Sequence, residues 1–165
     1  MKQLVYIAAL ALLAGTAMPA IAQQTPVGVW RLVSWAHALQ SGGDVVEPWG
    51  PHPQGFISYT PGGRMSAVVT APERKQPGAT GQQAPAEDQA RLYRTLFAYA
   101  GSYTVETEGV LVHHVEVASD PAWVGTNQRR FFHIEGNRLT ITTPPLQILA
   151  ESAPRIHTLV WERVE

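Results

Sequence analysis

The chain has 165 residues, enough for one domain with a real hydrophobic core and short of two domains of ordinary size. Its formal charge of -1 leaves no basic footprint for nucleic acid or for an anionic membrane surface. With no cysteine, it has neither disulfide staples nor a thiol nucleophile, so the fold must be held by its core alone.

The first stretch reads as a targeting signal. Lys2 gives a positive start, Leu4 to Ala14 is an almost unbroken apolar run, and Gly15, Pro19, Ala20 and Ala22 end it. Ala20-Ile21-Ala22 before Gln23 matches the small-residue rule for signal cleavage. The apolar run is short for a membrane span, and without cysteine there is no site for lipid attachment. The expectation is a signal peptide over 1–22, one domain over 23–165, a periplasmic or secreted product and no stable membrane anchor.

Strand signals dominate the rest of the chain. Val27 to Ala38 carries Trp30, Leu32 and Val33 and runs into the polar turn Gln40-Ser41-Gly42-Gly43-Asp44. Gln54 to Thr60 and Arg64 to Thr70 flank Pro61-Gly62-Gly63, where proline sets φ and glycine takes the corner. Ala71 to Ala84, with Pro72, Pro77, Gly78 and Gly81, predicts a long, mobile loop. Pro85 to Ala100 predicts a helix, with Glu87 and Asp88 in its first turn, Gly101 as its stop, and a stripe of Ala86, Ala90, Tyr93, Phe97 and Ala100. Strands over Ser102 to Glu106, Val110 to Ala118, Gln128 to Ile134, Arg138 to Thr142 and Arg155 to Val164 come after it. About eight short strands with glycine-bearing turns predict an all-β, antiparallel up-and-down barrel with one inserted helix.

A family resemblance supports this. Gly28-Val29-Trp30 carries the Gly-x-Trp that opens lipocalin-type barrels. Pro53-Gln54-Gly55, Tyr59-Thr60-Pro61, Ala98-Tyr99-Ala100-Gly101, His113-His114-Val115-Glu116, Trp123-Val124-Gly125-Thr126 and Val160-Trp161-Glu162-Arg163 occur in matching order. The chain resembles the bacterial lipocalin-like domain family over nearly its whole length after the signal. The resemblance implies a calycin-type barrel, with Trp30 packed under Arg163 as a structural closure of its base. Its two ends also resemble those of intracellular fatty-acid-binding proteins. The Arg-x-Tyr pair that anchors a fatty acid there is replaced by Leu159 and Trp161, so fatty acid is not the expected ligand.

Four residues are candidates for a ligand site: His113, Trp123, Gln128 and Arg130. Alternation puts His113 on the inward face with Leu111, Val115 and Val117, either as a hydrogen-bonded core histidine or as a polar fixture in a pocket. Gln128 and Arg130 share a face with Phe132 and Ile134. A buried arginine needs a partner, either Glu116 or Asp120 in an ion pair or a ligand carboxylate, enolate or phenolate. Trp123 is a rim wall or a packing plug.

No glycine-rich phosphate loop, nucleophile elbow or histidine pair at chelate spacing is present, so neither a metal nor another cofactor is expected. The leading expectation is an exported protein that binds a small amphipathic or apolar molecule inside the barrel. The alternatives are a calycin-type isomerase or cyclase using His113 and Arg130, and an interaction module with a filled barrel. If the signal is cleaved as read, N-terminal sequencing of protein recovered from the periplasm or medium should begin at or near Gln23. Finding Met1 on exported protein would overturn that reading.

Overall fold

The computed structural model describes residues 25–72, 74–75, 78, 80, 82–146 and 153–165. The expected signal segment lies outside them, as do Pro77 and Gly81 of the long loop.

Eight antiparallel strands close into one barrel in sequence order. They are β1 (Gly28–Leu39), β2 (Gln54–Tyr59), β3 (Arg64–Thr70), β4 (Leu96–Thr107), β5 (Val110–Ala118), β6 (Asn127–Glu135), β7 (Arg138–Thr142) and β8 (Arg155–Arg163). Closure comes from the long strand β1, which pairs with β2 over Gly28 to Arg31 and with β8 over Trp30 to Leu39. With every strand paired on both sides, the ladder leaves no open edge.

Alternation sends one residue in two to the core: Ile57 and Tyr59 from β2, Met65, Ala67 and Val69 from β3, Leu139 and Ile141 from β7. Of three bulges in the described strands, two reset that parity beside the core. Val33 is extra on β1, so Trp30, Leu32, Trp35 and His37 all face inward. Glu116 is extra on β5, which turns Val117 outward to 61% exposure and brings Ala118 against the core. The placement of Val117 with His113 is therefore corrected. Gly101 sits at the β5 bulge because the strands close up there. A Cβ at that position would overlap the carbonyl oxygen of His114.

The helix is shorter than its sequence pattern. α1 (Ala86–Arg94) ends where the Thr95 hydroxyl donates to the carbonyls of Arg91 and Leu92. Leu96 to Ala100 are β4, paired with β3 from Thr70 to Ser66. The expected stripe does not exist: α1 buries no residue, Tyr93 is exposed, and Phe97 and Tyr99 reach the interior from a strand. Pairing with β3 overrode a helical spacing that depended on counting Phe97 and Ala100.

The two ends of the barrel differ. Tight turns at 60–63, 108–109 and 136–137 close one end, with Gly63 taking φ 78° in the first. The longer connections, β1 to β2, β3 to β4, β5 to β6 and β7 to β8, leave the strands at the other. At the tight-turn end Trp30 is fully buried, its Nε1–H donates to the carbonyl of Pro26 at 2.8 Å, and the Arg163 guanidinium lies 3.9 Å from its ring centre. Arg163 also donates to the carbonyl of Val27 at 2.9 Å, which ties the start of β1 to the end of β8.

Trp30→Ala should cost about 3–5 kcal/mol, as expected for a large buried aromatic. Chemical denaturation measures it, and an unchanged midpoint would show that the base does not depend on this ring.

Candidate functional site

An interior cavity lies in the half of the barrel nearer the long connections, and every strand lends it a side chain. Its walls are mostly apolar, among them Ile57, Ala67, Val69, Ile141 and Leu159. Room for water centres is about 40 Å³, or roughly three waters at 10–15 Å³ each. That is well below the roughly 300–1,000 Å³ of ordinary small-molecule sites, so a ligand larger than a few waters needs side chains to move.

Six side chains with polar atoms break the apolar wall: Trp35, Tyr99, His113, Arg130, Thr143 and Trp161. The register of β5 with β6 pairs Leu111 with Arg130 and His113 with Gln128. Arg130 is 4% exposed. Its guanidinium donates to the carbonyl of Arg129 at 2.8 Å and reaches the Gln128 Oε1 at 3.5 Å. Gln128 is half-buried and donates to Thr126 Oγ1, which in turn donates to the carbonyl of Trp123. Trp123 ends a single 3-10 turn (Pro121–Trp123), where the Asp120 carboxylate accepts from the Ala122 N–H. Its ring packs edge-on to Phe97 at 4.8 Å, tilted to Tyr99 at 5.4 Å, and 5.7 Å from the Arg130 guanidinium. At 7% exposure it is a packing plug rather than a rim wall.

Neither expected acid reaches Arg130. Glu116 lies on the outer surface, where alternation from buried Val115 places it, and accepts from both terminal nitrogens of Arg64 at 2.6 and 2.9 Å. Asp120 is spent on the 3-10 turn. Among the described residues Arg130 has only neutral oxygen partners.

His113 is fully buried between two tyrosines. Nε2 is 2.8 Å from the Tyr59 hydroxyl and Nδ1 is 2.9 Å from the Tyr99 hydroxyl. A neutral imidazole offers one donor and one acceptor, so both are used and neither ring nitrogen is left for a ligand. Neighbouring His114 points outward, bridging Thr104 and Asn127.

A model of the lipocalin-like domain matches residues 27–164, almost everything the barrel comprises. The chain belongs to the lipocalin-like domain family. It is also similar to a 4'-hydroxy-3'-methoxypropiophenone carrier protein of Aspergillus oryzae, 37% identical over 87 residues that span 48% of this chain and 78% of that protein. That relative is fungal, so the bacterial qualifier in the motif resemblance is not carried by the match.

In this lipocalin-like barrel His113, His157, Tyr59 and Tyr99 are held neutral. Burial pushes the His113 pKa well down, and the charge of Arg130 adds to it. Burial also raises the Tyr59 and Tyr99 hydroxyls, with Arg130 opposing the rise in both. Near the long connections, His157 Nδ1 accepts from the Trp35 indole N–H at 3.1 Å, and burial lowers its pKa to about 4.

Sequence reasoning brought His113, Gln128 and Arg130 to one side of the interior and Trp30 to the base. It missed Tyr59, Tyr99, Trp161 and the Trp35–His157 pair. Tyr59 was findable, since it alternates with Ile57. Tyr99 was hidden by the over-long helix.

Both histidines have folded pKa values below the ordinary 6.5, so the unfolded chain takes up protons first. Their contribution to stability is complete above about pH 6.5 and is lost as pH falls through it, towards 4 for His157. Glu116, held low by the Arg64 hydrogen bond, titrates below that window. Denaturation midpoints should therefore drop between roughly pH 7.5 and pH 5, and a flat profile there would refute neutral burial.

Proposed function

We propose that the protein is an exported carrier holding one small amphipathic molecule in the long-connection half of its barrel. The observation that carries this reading is Arg130, a nearly buried guanidinium in an apolar chamber with only neutral oxygens as partners among the described residues. A cation in such a place is costly unless something negative or strongly accepting meets it. A ligand fits if its polar end reaches Arg130 while its body lies against Ile57, Val69 and Leu159.

The fungal relative's name adds a chemical class. A hydroxy-methoxy aryl ketone is flat and apolar through its middle and carries oxygens at its ends, which is the distribution that this chamber complements. We propose a ligand of that general kind. Because the chamber at rest admits about three waters, entry requires the side chains nearest the long connections to part, Trp123 and Phe97 first. Export rests on Lys2, the Leu4 to Ala14 run and Ala20-Ile21-Ala22.

The isomerase or cyclase alternative asks His113 to move a proton. With both ring nitrogens engaged and protonation disfavoured, His113 is better suited to bracing the wall than to acid–base exchange. Against a barrel that serves only as a filled scaffold stands Arg130, whose buried charge no side chain among the described residues neutralises.

Native mass spectrometry of protein purified from its own host should reveal a co-purified small molecule. With that molecule, Arg130→Met should keep the fold, since methionine replaces the stem and leaves no charge. Affinity should fall by about 1.5–3 kcal/mol, the worth of charge-assisted hydrogen bonds. A lower melting temperature with affinity unchanged would give Arg130 a structural role and remove the support for binding.

A further inference from the structure

Arg130 is not the only unspent donor in the chamber. Trp161, on β8, is 2% exposed and lines the same cavity, and its indole N–H has no hydrogen-bond acceptor among the described residues. A buried N–H left unmade is costly, and native interiors rarely keep one without a reason. Trp35, the other tryptophan on this wall, is satisfied by His157.

The surrounding groups supply neutral hydroxyl oxygens, those of Tyr99 and Thr143, but no negative charge. From β2, β4 and β5, Tyr59 and Tyr99 flank His113, the Tyr99 hydroxyl also meets Arg130, and all three groups are neutral. From β8, His157 is neutral at ordinary pH, and His37 on β1 stacks behind it at 5.2 Å. The acids closest in sequence to these strands lie on the outer surface: Glu116 with Arg64, Glu162 with Arg31 and Glu106 with Arg129. The chamber thus carries one fixed positive charge and a surplus of donors. Water can accept from both donors but cannot neutralise the guanidinium.

We propose that the ligand is an ionisable oxygen acid, an acidic phenol or a carboxylic acid on an apolar body, and that it is bound as its anion between Arg130 and Trp161. This rests on the carrier reading and narrows it: a neutral ketone or alcohol would satisfy the N–H groups and leave the charge uncompensated. The bound acid loses its proton to solvent on entry, so its pKa in the barrel is lower than in water. Binding of such a molecule is tightest above its pKa in water, weakens as pH falls from there to the lowered value, and levels off below it at the poor affinity of the neutral form.

The test uses a para-acyl phenol, 4'-hydroxyacetophenone, and its uncharged methyl ether, with protein freed of any co-purified molecule. The phenolate absorbs at longer wavelength than the phenol, so its protonation state is read independently of affinity. At about one pH unit below the free phenol's pKa, adding protein should raise the phenolate band, and the ether should bind at least about tenfold more weakly. Arg130→Met should abolish the band. Trp161→Phe should weaken binding several-fold with the band retained, and circular dichroism checks the fold of each variant. Binding of the phenol with no new band and no preference over the ether overturns the anion proposal and leaves the carrier reading intact. Failure of both probes to bind overturns the proposal as well, while the search for a co-purified molecule decides the carrier reading separately.

Discussion

The pairing of β1 with both β2 and β8 is the constraint on which the rest depends. A sheet of eight strands that did not close would expose two ladders of unpaired amides, and its concave face would have no far wall. Closure fixes how many side chains share the interior, and the register of Trp30 with Arg163 sets where the seam begins. The contact between that guanidinium and the indole is then less an isolated attraction than the lock of the seam, since the same arginine holds the backbone of Val27.

Inside, the fold spends its polar groups unevenly. Tyr59, His113 and Tyr99 form a chain of two hydrogen bonds that leaves one hydroxyl proton over, and the low dielectric strengthens such a network while keeping it uncharged. Arg130 is held differently, by a main-chain carbonyl and an amide oxygen at the limit of a hydrogen bond. A well-satisfied wall beside an under-satisfied cation is how a barrel stays rigid while keeping one position available for a ligand. His113 contributes as part of the wall, and this shifts the chemical interest of the chamber to β6 and β8.

Much of this was legible in the chain. The turns announced themselves through glycine and proline, and strict alternation pointed Arg130 and His113 inward. What failed did so at places where alternation is broken by geometry. The bulge at Glu116 depends on two strands drawing together at Gly101, a non-local event, so Val117 was assigned to the wrong side. Phe97 and Ala100 fell by chance at helical spacing from Tyr93, and only pairing with β3 made them strand. The importance of Trp161 was invisible because an unpaired indole is a statement about surroundings, which a sequence does not contain.

The difference between the barrel's ends bears on how the molecule can be handled. The amide of Val29 donates to the carbonyl of Glu165 at 3.0 Å, so the entry to β1 and the final residue stand together beside the tight turns. Anything joined at Glu165 is thereby directed away from the chamber's long connections. A support, a dye or a second protein attached there leaves those connections facing solution, so the barrel can be arrayed on a surface with its binding half outward.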